Sequence, residues 1–254
     1  MTDLSILRHL LPGVLAAALP VLPAAAEPTP VTVRVLSQGG KYVGSSMGGA
    51  MVRIADAATG RLLAEGPTSG GTGDTARIMG PQPRGAALAD DGTAAFRATL
   101  DLDRPQLVQI SAYGPVSDPQ SAVSVAVTRW LVPGASATLG DGIVLELPGL
   151  VVRPAPPAPP ERDGSARIAA RVMLMCGCPI EPGGLWDSAR FEVSAVIIDA
   201  AGRESARHRL DYAGQTGMFA ARIPATSLAG RAVRIIAIDT RTGAAGVAMA
   251  PPGG

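Results

Sequence analysis

Apolar and polar residues alternate in short runs along this chain, and glycine, proline or aspartate cuts each run off after a dozen or so positions. That pattern restricts the available folds more than any other feature, because a period of two residues places successive side chains on opposite faces of a strand. VTVRVLS at 31–37 puts Val31, Val33 and Val35 on one face, with Thr32 and Arg34 on the other. AMVRIAD (50–56) continues the pattern, and ATG at 58–60 turns the chain into RLLAEG. AAFRATLDL (94–102), LVQISAYG (107–114), AVSVAVTRWLV (122–132) and GIVLELPGLVV (142–152) complete a first set. A second set follows at 166–176, 190–199, 206–213, 218–225 and 231–240. With 31 glycines and 23 prolines, long helices are excluded, and evenly spaced short strands point to β-sandwiches.

Between the two sets lies RPAPPAPPERDGS, 153–165. Proline has no N–H for a sheet ladder, so this segment is expected to be a stiff extended linker. The expected architecture is therefore all-β, with two tandem β-sandwich domains, 27–152 and 166–250, joined by a proline-rich linker at 153–165. A short tail, 251–254, closes the chain. The glycine-rich loop at 66–85 is long enough to be either functional or mobile.

The N-terminus, MTDLSILRHLLPGVLAAALPVLPAAAEP, sets the expected compartment. Arg8 and His9 precede an apolar run from Leu10 to Leu22, and Ala24 and Ala26 stand at −3 and −1 of a cleavage position. This reads as a signal peptide, residues 1–26, since the apolar run falls short of the roughly 20 residues that span a bilayer. A periplasmic or secreted protein with no membrane span in its mature form is expected. Net charge is +1 and aromatics are 3%, which argues against nucleic-acid partners and leaves few stacking platforms.

GGAMVRIADAATGRLLAEG, followed by DDGTAAFRATL and LVQISAYGP, resembles the transthyretin-like or carboxypeptidase-regulatory-like β-sandwich. Such modules run as a strand, a T-G turn, a second strand and a D-G-x-a-x-F hairpin. Gln215 to Ile223, with the later AVRIIAIDTRTG, is similar to bacterial immunoglobulin-like modules. These resemblances imply an adhesion, carrier or scaffolding role. The glycine-rich insertion at 66–85 departs from the first pattern.

The chemistry concentrates in MLMCGC, 173–178, which holds both cysteines and two of the eight methionines. If 166–176 is a strand, Cys176 shares the inward face with Leu174, while Met173 and Met175 share the arginine-bearing, solvent-side face with Arg167 and Arg171. Gly177 and Pro179 suggest a strand end that releases the thiols toward the rim. Several readings stand. In an oxidising compartment the pair forms a disulfide, which needs Gly177 to fold the backbone because positions i and i+2 of a flat strand lie roughly 6.5–7 Å apart. Thiol exchange is a second reading, although the usual spacing is C-x-x-C. The third is a soft-metal site for Cu(I), with Cys176 and Cys178 as thiolates and Met173, Met175 or His208 completing the shell, and Met218 within possible approach. Inert thiols remain a fourth.

Other constellations are weaker. Asp90-Asp91 with Asp101 and Asp103 could meet at a hairpin and hold calcium, but carboxylates beside glycine more often form turns. Ser45-Ser46 and Asp74 have no histidine in the same half to complete a triad. GGTGDT lacks the lysine of a phosphate-binding loop. His208, between two arginines, is expected to be exposed, and Trp130 and Trp186 to pack in a core or at its rim. The function expected is a non-enzymatic binding or assembly protein with a protein partner and a candidate copper site at MLMCGC. The alternative is a thiol-redox or copper-delivery factor working through Cys176 and Cys178.

Overall fold

The structure, a computed structural model, describes residues 25–156 and 159–251. All but two residues of the expected signal peptide and most of the C-terminal tail lie outside the described residues. Fourteen strands account for nearly all the regular structure. They are β1 (Glu27–Ser37), β2 (Met51–Asp56), β3 (Leu62–Pro67), β4 (Phe96–Leu102), β5 (Gln106–Gly114), β6 (Val123–Leu131), β7 (Ile143–Leu147), β8 (Leu150–Pro154), β9 (Ser165–Leu174), β10 (Phe191–Ile198), β11 (Glu204–Tyr212), β12 (Met218–Pro224), β13 (Ala232–Asp239) and β14 (Ala245–Met249). One helical turn, α1 (Thr75–Met79), interrupts the glycine-rich loop. The fold is all-β.

Three sheets form: β4-β1-β7, β3-β2-β5-β6 and β14-β13-β10-β11-β12-β9-β8. The first two face each other across a core built by the alternation read in the sequence. Val31, Val33 and Val35 of β1 pack with Val52 and Ile54 of β2 and Val108 and Ile110 of β5. The seven-stranded sheet curls round a second core that includes Val172, Val193, Ile197, Leu210, Phe219 and Ile235. Its two edges nearly meet, because Gly246 of β14 has no side chain to hold it off the Leu150 carbonyl of β8.

The chain enters the seven-stranded sheet before it reaches most of the prolines. The single strand expected at 142–152 is broken at Pro148-Gly149 into β7 and β8. β7 runs parallel to β1, whereas β8 pairs antiparallel with β9 in the seven-stranded sheet. Arg153 and Pro154, assigned to the linker, are the last residues of β8. Pro154 is tolerated because β8 is an edge strand, where a missing N–H breaks no ladder. Leu150 and Val152 enter the second core, while Val151, pointing the other way, enters the first. Asp118 and Ser121 of the first half also grip β8. Arg153 donates to Asp118 (Nη2–Oδ2, 2.8 Å), and the Val152 N–H donates to the Ser121 hydroxyl at 3.0 Å.

The glycine-rich loop is fastened down. Asp74 caps α1 by accepting the Arg77 N–H, and Lys41 donates to the Thr75 hydroxyl. The Asp141 carboxylate accepts the N–H groups of Leu88 and Ala89. Beneath the loop, Tyr42 is fully buried, and burial together with the nearby Asp141 charge pushes its phenol up to about 12.

Candidate functional site: the Cys-Gly-Cys corner

β9 ends at Leu174, and the next residues turn sharply. The Gly177 N–H donates to the Leu174 carbonyl at 2.8 Å, and Gly177 itself has φ +74°, a conformation that side-chain-bearing residues rarely adopt. The turn brings the Cα atoms of Cys176 and Cys178 to 5.4 Å, inside disulfide range, and the two are bonded. No free cysteine remains among the described residues. Gly177 thus makes the backbone fold that the disulfide reading requires.

Both sulfurs are sealed. Cys176 is 2% exposed and Cys178 3%, and both sit in the second core with Ile180 and Trp186. The expectation of thiols released toward the rim is corrected. Cys176 keeps the inward direction of the even-numbered residues of β9, and the turn carries Cys178 in after it. A turn from the first half closes over the corner. A side chain at Gly40 would run into the Leu174 side chain and the Cys176 sulfur, so only glycine fits there. The Trp186 indole N–H donates to the Gly39 carbonyl at 2.8 Å, and the Gln38 amide donates to the Thr242 carbonyl at 3.3 Å. Met47, from a short 3-10 turn of the first half, lays its sulfur over Gly177, where a Cβ would come within 2.8 Å.

The methionines face the other way. Met175 is fully buried and Met173 half-buried, but both pack with the first core, Met175 beneath Gly149. The arginines had marked this face of β9 as solvent-side. That holds at Arg167 and Arg171 and fails beyond them, where the first half covers the strand. Met173-Met175 and Cys176-Cys178 therefore belong to two different cores, and the segment is the joint between them.

His208 is on β11 opposite Ala195, on the same inward face as Leu210. It is half-buried rather than exposed, with Nε2 buried and unpartnered among the described residues. The registers β11 to β12 and β12 to β9, carried along the strands, place it level with Ala166 at the start of β9, ten residues before Cys176 in the chain. Met218 pairs with Arg171 and shares its outward face. The proposed Cu(I) shell does not fit this arrangement. The thiolates are joined to each other, the thioethers lie across the strand, and the imidazole is at the far end of the sheet.

An electrostatic clasp braces the corner. The Arg190 guanidinium donates to the Asp239 carboxylate at 2.6 Å, Thr242 donates at 3.0 Å, and the Arg241 N–H completes the set. Burial pushes the Asp239 carboxyl up, but the Arg190 guanidinium and the other two donors outweigh it and hold the group below the usual carboxylate range. This clasp holds the Thr242 loop against Gly39, whose missing side chain leaves room for the threonine methyl. Sequence reasoning missed it, although the D-x-x-T spacing of Asp239 and Thr242 is a turn signal.

The remaining candidates are dispersed. Asp90 binds the Thr93 hydroxyl at 2.6 Å within its own turn, and Asp103 makes an exposed pair with Arg104. Among the described residues, no three His, Cys, Asp or Glu side chains converge as a metal site would need. Trp186 is buried as expected, whereas Trp130 is 63% exposed beside Leu107 on the outer face of β6 and β5.

Comparison with known proteins gives little. No protein family and no curated protein matches the chain. Thirty-one solved chains match. Among them is the apo form of a β-glucuronidase from Bacteroides uniformis, 11% identical, covering 89% of this chain and 25% of that one with a TM-score of 0.21. The chain thus spans a quarter of that enzyme's length, and so slight a superposition says nothing of its activity.

Proposed function

We propose that the mature chain is an exported, non-enzymatic binding or assembly protein, built as two tandem β-sandwich-type lobes whose common joint is the Cys176–Cys178 disulfide. The observation that carries this reading is the sealing of both sulfurs at 2% and 3% exposure within the second apolar core. A disulfide-exchange factor presents an accessible sulfur to its partner, because the attacking thiolate must reach it in line. A buried pair acts on the protein's own structure, and its persistence suits an oxidising compartment. The first lobe is transthyretin-like in this reading and the second immunoglobulin-like, and both kinds of module serve as scaffolds. The partner is a protein, for which exposed Trp130 and Leu107 offer an apolar contact on a flat sheet face.

The test compares the periplasmic protein with a thiol oxidoreductase in an insulin-reduction assay and titrates its reduced form with Cu(I) against a chelator. No turnover is expected, and the Cys176→Ser/Cys178→Ser double variant should take up as much copper as the parent. Catalysed insulin reduction, or copper uptake lost in the double variant, would instead establish the thiol-redox or copper-delivery alternative. Intact mass reports on export: the mature chain should begin at Glu27.

A further inference from the structure

The seven-stranded sheet closes at one end and fails to close at the other. Near Leu150, β8 lies against β14. At Pro154, β8 stops, and past it the Ala155 N–H still donates to the Ala169 carbonyl of β9 at 2.8 Å. Past that point the first residues of β9, the start of β13 and residues of the 225–231 turn line a common gap. The gap opens into a cleft of ≈ 970 Å³ that reaches the apolar interior of the curled sheet.

The lining has one chemical character. Ala166 and Ile168 of β9, Leu228 of the turn and Val233 of β13 present hydrocarbon, and the rest of the wall is mostly alanine and proline. Ala166 and Ile168 are buried, and Leu228 and Val233 pack against the second core, so the cleft continues the core outward. Its charged lining residues are Arg167 and Arg231, with no acidic residue among them. Arg167 makes no ion pair among the described residues, and its cross-strand neighbour Arg222 is engaged by Glu161. Asp199 lies near enough to Arg231 to feel its charge but pairs with Arg203. An apolar slot whose lining carries two arginines and no carboxylate is complementary to an unbranched hydrocarbon chain ending in an anion.

We propose that this cleft binds a monomeric straight-chain fatty carboxylate, the alkyl chain lying along Ile168, Leu228 and Val233 and the carboxylate between Arg167 and Arg231. The site is separate from the Cys-Gly-Cys corner, and the proposal stands whether or not the disulfide reading holds.

Calorimetric titration of the full mature chain with decanoate and dodecanoate, each below its self-association concentration, tests this directly. One ligand per chain is expected. Dodecanoate should bind roughly tenfold tighter, since each buried methylene contributes about a three- to fourfold gain. Decan-1-ol should bind several-fold more weakly than decanoate. The Arg167→Ala/Arg231→Ala variant should bring decanoate down to the level of the alcohol, and added salt should do part of the same. Ala232→Trp, at an exposed wall position, should cost at least tenfold while leaving the melting temperature unchanged. Ala229→Trp serves as a second plug if that variant misfolds. Equal affinity for acid and alcohol, or undiminished binding in both plugged variants, would overturn the site. Binding to phosphatidylglycerol vesicles with none to monomeric decanoate would overturn it too, because the cleft would then be a membrane-docking face.

Discussion

At Gly177 a positive φ and the Met47 sulfur act together, so the position tolerates no side chain on two independent grounds. Gly177→Ala should lower stability by about 1–2 kcal/mol from the left-handed backbone alone, with the contact to Met47 adding to it. Chemical denaturation measures this. Met47→Ala, itself a core truncation, should cost less in the Gly177→Ala background than in the parent, and the difference in this double-mutant cycle isolates the contact part. The disulfide invites a similar separation. The two cysteines are only two positions apart, so chain-entropy arguments give the crosslink about 1–2 kcal/mol at most. A larger loss in Cys176→Ser/Cys178→Ser would therefore arise in the native state, where two hydroxyls are buried without partners at about 1–3 kcal/mol each. Asp239 contributes by a different route. Its folded pKa lies below its unfolded value of about 3.9, so the unfolded state binds the proton more tightly. Its contribution is complete above the unfolded pKa and is lost as pH falls through the depressed folded value. Asp239→Asn should cost about 2–4 kcal/mol at pH 7, because it leaves the Arg190 charge partly buried and unpaired. Melts recorded from pH 7 to pH 3 should fall less steeply for the variant than for the parent.

Most strands were legible because each buries one face only, and single-sided burial writes itself as alternation. The strand β1 shows it directly, with Val31, Val33 and Val35 inside. The failures occur where an element is buried on both faces or changes partner. Leu150, Val151 and Val152 read as a continuation of the strand before them, because the valine-rich run masks the break at Pro148-Gly149. Nothing in that run says that Val151 faces one core and its neighbours the other. Met173 and Met175 were misread for the same reason, since two arginines earlier on the face outvoted them. β14, AGVAM, is short and weakly patterned, and it was missed. The soft-ligand cluster was visible as a cluster, but one-dimensional proximity hid the alternation that sends its sulfurs to opposite sides. A truncation test belongs at this scale. A fragment ending at Pro148 should lose the Val151 contacts and melt below a fragment ending at Pro154, which keeps β8, since neither carries Met175. Equal melting of the two would show that β8 contributes nothing to the first lobe.

Across the whole molecule, the two cores are separate in composition and joined along a seam of β8, the end of β9 and the 38–47 segment. Hydrogen bonds from Trp186 to Gly39 and from Gln38 to Thr242 cross that seam, as does the Arg153–Asp118 pair on its other flank. Two cores joined by such a seam should unfold together, and thermal unfolding should appear as one cooperative transition. Hydrogen–deuterium exchange on the Cys176→Ala/Cys178→Ala variant tests the joint most directly. The prediction is faster exchange in two places at once: residues 172–180 of the second lobe and residues 38–48 of the first. Acceleration confined to 172–180, with 38–48 as protected as in the parent, would contradict the claim that the disulfide corner couples the two cores.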